Sequence, residues 1–172
     1  GTSGTIDFGG ASTPITIVTP VQDNHDISIK KTGSFADSSR TKASYTVTVT
    51  TNQGTGEPVS ITDKWDKWNS TSGVTYSYDQ SSLKVVKVSA NGGETTLIQG
   101  SWNPYNYNVA WTGGSEPQFT VSNLPALSAG EKYVVTYATN IGGATSEAGK
   151  VANSAGTTSG NHKPWDWHSI EW

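Results

Sequence analysis

The chain has no cysteine and no methionine in its 172 residues. Without cysteine there is no disulfide framework, no thiolate nucleophile and no thiolate metal site. Charge is also sparse: 15% of residues are charged and the net charge is −3. Nothing here is basic enough to hold nucleic acid or an anionic membrane. No apolar run is long enough to span a bilayer, and no signal peptide or sorting signal is visible. The start Gly1-Thr2-Ser3-Gly4, with no initiator methionine, reads as an excised piece of a longer protein. No segment keeps a helical period. Hydrophobic residues make up only 33%, and glycine (19 residues), serine, threonine and valine fill much of the rest. That mixture suits many short strands joined by polar turns.

The strands can be read from alternation, because successive side chains of a strand point to opposite faces. Ile15–Thr19 is a first candidate, bracketed by Pro14 and Pro20. In 27–31, Ile27, Ile29 and Lys31 share a face, while Lys30 points away. In 44–50, Tyr45, Val47 and Val49 point inward, and in 59–63 Val59, Ile61 and Asp63 do. Further strands are expected at 74–78, 83–89, 97–98, 109–111 and 118–121. Asn91-Gly92 is a turn signal. A loop over 124–131 leads into 132–139, where Tyr133, Val135 and Tyr137 share a face. In 149–155, Val151 and Asn153 do. Residues 156–163 read as a turn or linker and 164–172 as a final edge strand. The expected fold is an all-β, immunoglobulin-like β-sandwich with Greek-key connections. The expected division is an N-terminal strand or linker (1–25), the sandwich domain (26–156), and a C-terminal edge strand or linker (157–172).

Three of these strands share an anomaly: Lys31, Asp63 and Asn153 each sit on an apolar face. Burying a lone lysine or aspartate costs several kcal/mol unless it is paired or neutralised. One explanation is plain, since a lysine near a strand end can snorkel to water. The other is chemical. An apolar site lowers the pKa of a lysine and raises that of an aspartate. A neutral Lys31 amine can then attack the Asn153 side-chain amide. A protonated Asp63 can polarise that carbonyl and shuttle protons to the departing ammonia. The product is an interstrand amide, made once, with proximity supplying most of the rate and no cofactor required. Such a domain modifies itself and is not an enzyme in the usual sense.

The stretches Ile29-Lys30-Lys31-Thr32-Gly33, Tyr45-Thr46-Val47-Thr48-Val49, Val59-Ser60-Ile61-Thr62-Asp63, Leu127-Ser128-Ala129-Gly130-Glu131 and Val151-Ala152-Asn153-Ser154-Ala155 occur in this order. As an ordered set they resemble the immunoglobulin-like repeat domains of Gram-positive surface adhesins and pilins, including collagen-adhesin A-type isopeptide domains. The resemblance covers roughly residues 26–156. It implies a lysine of the first strand joined to an asparagine of the last, assisted by an aspartate on a middle strand; those roles fall on Lys31, Asn153 and Asp63. The family commonly continues from that aspartate into a Leu-Pro turn, whereas this chain has Lys64-Trp65-Asp66-Lys67-Trp68. Asp66 is therefore a rival for the acid role, although strand parity favours Asp63. The resemblance further implies a monomeric stalk or spacer on the cell surface or cell wall, with neighbouring domains of the same protein as partners.

Seven tryptophans invite a second reading, contact with a glycan or host protein. Trp102, Tyr105 and Tyr107 lie in an aromatic, asparagine-rich segment whose rings could stack on sugars; filling the core or covering a sheet edge is the simpler role. Trp165, Trp167 and Trp172 are expected to pack. His25, His162 and His168 lack metal-ligand spacing. Asp23, Asp26 and Asp37 form no recognisable calcium loop. No serine sits in a nucleophile elbow, which leaves a hydrolase without support.

Overall fold

The computed structural model describes residues 24–100, 106–145 and 147–172, and the backbone alone of 2–6 and 15–19. Strands β1 (Thr2–Ile6) and β2 (Ile15–Thr19) pair antiparallel with each other. The remaining strands are β3 (Ser28–Phe35), β4 (Lys42–Thr50), β5 (Val59–Asp66), β6 (Thr75–Val88), β7 (Glu94–Thr96), β8 (Ile98–Gln99), β9 (Asn106–Thr112), β10 (Gln118–Leu124), β11 (Lys132–Gly142), β12 (Lys150–Thr158) and β13 (Trp165–Glu171). A 3-10 turn, Lys67–Asn69, follows β5. Six strands form one sheet in the order β13-β12-β5-β10-β9-β8, and five form the other in the order β3-β4-β11-β6-β7. The result is an immunoglobulin-like sandwich whose chain crosses repeatedly between sheets.

Alternation builds the core as the sequence leads one to expect. Tyr45, Val47 and Val49 of β4 face Val59 and Ile61 of β5, Phe119 and Val121 of β10, Tyr133, Val135 and Tyr137 of β11, and Val151 of β12 in one buried cluster. Their threonine and serine neighbours point outward, as half-buried antiparallel sheets require.

Three expectations are corrected. Segments 74–78 and 83–89 are one strand, β6, which bulges where the register against β11 jumps between Thr136 and Ala138. The Ala138 amide donates to Ser82 Oγ there (2.7 Å), so a hydroxyl replaces a ladder carbonyl. Residues 156–158 belong to β12, not to a linker, because Gly156, Thr157 and Thr158 pair with Thr62, Ile61 and Ser60. Trp165 and Trp167 do not pack: they are 67% and 52% exposed. In β13 the aromatic residues occupy the outer parity, and Asp166, His168 and Ile170 point the other way.

Candidate cross-linking site

Lys31, Asp63 and Asn153 come from three strands in two sheets and meet in the core, each at most 3% exposed. Lys31 sits on β3 opposite Val47. Asp63 and Asn153 lie on neighbouring strands of the other sheet, offset by one inward position, with Asp63 opposite Ala155 and Asn153 opposite Trp65. The carboxylate bridges the pair. Lys31 Nζ donates to Asp63 Oδ2 at 2.7 Å, and Asn153 Nδ2 donates to Asp63 Oδ1 at 2.8 Å. Amine and amide are thus separated by the width of one carboxylate.

Four tyrosines close the site. Tyr137 OH accepts from Lys31 Nζ and donates to Asp63 Oδ2. Tyr78 OH donates to Asp63 Oδ1 at 2.7 Å. Tyr76 OH accepts from Asn153 Nδ2 at 2.6 Å. Lys31 Nζ lies 4.4 Å from the Tyr45 ring centroid and 5.0 Å from that of Tyr137, within cation–π range. Burial pulls the Lys31 pKa below its ordinary value; the Asp63 charge, their hydrogen bond and Asp166 oppose this in part. Burial pushes the phenols of Tyr76, Tyr78 and Tyr137 upward, so they remain protonated donors.

Two local features hold Lys31 in place. Gly33 lies opposite Tyr45, and a Cβ at Gly33 would come within 2.4 Å of that ring. Glycine at this strand position therefore lets Tyr45 slide beneath the lysine. On the other flank, β3 is a sheet edge that meets β13 through side chains instead of a ladder. The Lys31 amide donates to Asp166 Oδ2 (2.8 Å), and His168 Nε2 lies 2.9 Å from the Gly33 carbonyl oxygen.

Asp66 stands elsewhere. It is on the outward parity of β5 and caps the 3-10 turn, accepting from Asn69 N (3.2 Å) and Asn69 Nδ2 (2.7 Å). Tyr107 is buried on β9, not displayed on a loop, because it takes an inward position of that strand. Trp102 and Tyr105 lie outside the described residues. Asp26 and Asp37 serve turns, Asp26 accepting from Thr51, Asn52 and Gln53 and Asp37 from Ser39. Among the described residues no His/Cys/Asp/Glu cluster could hold a metal ion, and no helix is long and apolar enough to cross a membrane.

Sequence reading missed the roles of Tyr76, Tyr78, Asp166 and His168. A signal existed for the tyrosines: Tyr76 and Tyr78 repeat at strand spacing, as Trp65 does after Asp63.

The fold is shared with proteins of known structure. The collagen-binding domain of the Erysipelothrix rhusiopathiae surface protein RspB superposes with a TM-score of 0.55 at 15% identity, over 98% of this chain and 55% of that one. The collagen-binding domain of a Staphylococcus aureus adhesin gives 0.53 at 10% identity, over 84% and 97% of the two chains. The group B streptococcus pilus 2b backbone protein gives 0.53 at 19% identity, over 81% and 56%. The fold is that of Gram-positive surface adhesin and pilin domains. At these identities the likeness speaks for the fold. No family model matches the sequence, and no match is found among characterised proteins.

Proposed function

We propose that this adhesin-type domain is a stalk or spacer of a bacterial cell-surface protein, stapled by an autocatalytic isopeptide bond between Lys31 and Asn153. The observation that carries the reading is the Asp63 carboxylate, buried, with the Lys31 amine on one oxygen and the Asn153 amide on the other. An isolated buried ion pair is a poor stabiliser compared with apolar packing. Held against an amide in a dry, tyrosine-lined site, it is a reactive arrangement.

The chemistry balances without a cofactor. Lys31 passes a proton to Asp63, which turns the ion pair into a neutral pair without changing the total charge. The Nζ lone pair then attacks Asn153 Cγ, the Nζ–Cγ bond forms and the Cγ–Nδ2 bond breaks. Lys31 gives up two protons in all: one leaves with Nδ2 as ammonia and the other stays on Asp63. The product joins β3 of one sheet to β12 of the other, so a pull on the chain loads a covalent bond instead of peeling hydrogen-bond ladders.

Proteolytic digestion of the folded protein tests this at residue level. A branched peptide containing both Lys31 and Asn153, one ammonia lighter than its two parts, is expected. Recovery of both unlinked peptides alone would refute the bond.

A second reading, contact with a glycan or host protein, is favoured by the outer face of the six-stranded sheet. Trp68 is 85% exposed beside a depression lined also by Lys64, Asp66, Glu116 and Ser154, and Trp167 pairs with Ser154 next to it. Two structures of the same fold are collagen-binding domains, which supports a host-protein partner. Glycan and collagen arrays probed with the wild type and with Trp68→Ala and Trp167→Ala test it; signal that these substitutions leave unchanged would retire this face.

A further inference from the structure

The bridging carboxylate accounts for the protons but leaves the amide oxygen without help. Asn153 uses both amide hydrogens, donating from Nδ2 to Asp63 Oδ1 at 2.8 Å and to Tyr76 OH at 2.6 Å. Its Oδ1 is buried, and no donor among the described residues reaches it. A buried acceptor is costly to leave unpaired. This one is also the atom that takes up negative charge when an amine adds to Cγ, where donors matter most.

A half-turn about the Asn153 Cβ–Cγ bond exchanges two atoms of nearly equal size. Oδ1 then meets the Tyr76 hydroxyl and Asp63. While Asp63 is a carboxylate this orientation is unfavourable, because two acceptors face each other. Lys31 delivers its proton to Asp63 Oδ2, so a matching half-turn of the carboxyl brings the protonated oxygen to Asn153, and the turned amide exchanges the two hydrogen bonds given by Nδ2 for two accepted by Oδ1. The same proton transfer that frees the nucleophile thus permits the orientation that polarises its target.

We propose that Tyr76 is a catalytic residue of this bond formation, its hydroxyl joining protonated Asp63 in an oxyanion pocket for Asn153 Oδ1. The proposal rests on the isopeptide reading above. During attack the carbonyl π pair moves onto Oδ1, held by the two donors, and returns when the Cγ–Nδ2 bond breaks; Tyr76 itself gains and loses no proton. Its placement suits a fixed donor. Tyr76 reaches across from β6 of the opposite sheet, and its ring stacks on Trp65 (5.5 Å between centroids, 3° between planes) and meets Tyr78 edge-on (5.4 Å, 87°). Trp65 in turn is the register partner of Asn153. Burial raises the phenol pKa, which keeps the group a donor and not a base. Tyr137 differs, since its hydroxyl is aimed at Asp63 and Lys31; Tyr78 donates to Asp63 while also touching Asn153 and Tyr76, and positions the carboxyl beside the amide.

The test is the rate of ammonia loss after refolding from denaturant, followed by intact mass. Tyr76→Phe keeps the ring and its stacking, and slowing of about a hundredfold is expected, the usual effect of removing one oxyanion donor. Melting of Tyr76→Phe within a Lys31→Ala background, where no bond forms, reports structural damage separately. A ring-fluorinated tyrosine introduced at position 76, a stronger donor of nearly the same shape, should restore or exceed the wild-type rate; a purely structural role gives no such gain. Cross-linking of Tyr76→Phe at the wild-type rate overturns the Tyr76 proposal and leaves the isopeptide reading intact. A wild-type protein that keeps its full mass removes that reading and the Tyr76 role with it.

Discussion

The two faces of the six-stranded sheet are made by the same strands and could hardly differ more. Inward, β5, β12 and β13 present Asp63, Asn153 and Asp166 among apolar residues and tyrosines, each residue hydrogen-bonded to a named partner although Asn153 Oδ1 itself has none. Outward, β13 presents Trp165 and Trp167 to solvent. The inner face is apolar but for one buried ion pair and its amide neighbour, while the outer face mixes Lys64, Asp66 and Glu116 with exposed tryptophan. A buried charge costs stability unless it is paired, and on the inner face Lys31 and Asp63 pair. The inner face carries the geometry on which the proposed bond rests.

The contrast is most directly broken from within. Asp63→Ala leaves Lys31 buried without a counter-charge; a loss of about 3–5 kcal/mol is expected, with no cross-link, read by chemical denaturation and intact mass. Retention of near wild-type stability would mean that the buried pair contributes little to the fold. Gly33→Ala is next, because its Cβ would drive into the Tyr45 ring. A loss of about 1–3 kcal/mol is expected from such overpacking, together with slower ammonia loss as Tyr45 shifts away from Lys31.

On the outer face, Trp165→Ser and Trp167→Ser should each change stability by no more than about 0.5 kcal/mol, as surface substitutions do. They should still lose one ammonia relative to their own sequence mass. A large loss of stability would show that these rings pack after all. The smallest effect is expected at Asp26, whose carboxylate serves a turn over 51–53. Backbone hydrogen bonding, first from Gln53, holds its carboxyl below the usual range. A depressed carboxylate pKa contributes stability above its unfolded value, and that contribution fades as pH falls through the folded value. Asp26→Asn should therefore lower the melting temperature at neutral pH, and the difference from wild type should vanish in acid.

Strand parity made the inner face legible. Alternation around Ile27 and Ile29 placed Lys31 inward and Lys30 outward, and Val59 and Ile61 did the same for Asp63 over Asp66; the exposure of each residue follows that parity. The outer face was misread because aromatic character outweighed parity. Along 165–171 the alternation has two phases, and Ile170 is the residue that anchors it inward, which sends Trp165 and Trp167 outward. The bulge in β6 left no local trace, since Gln80-Ser81-Ser82 reads as a turn until β11 supplies a partner on both sides. The tyrosine ring was half visible: Tyr45 and Tyr137 fell inward by parity. The roles of Tyr76 and Tyr78 depend on how the two sheets stack, which no single strand encodes.

The staple itself is tested most directly by the intact mass of the folded wild-type chain beside Lys31→Ala and Asn153→Ala. The wild type is expected to be lighter than its sequence by one ammonia, with both variants at full sequence mass. A wild-type chain at full mass would contradict the bond between Lys31 and Asn153.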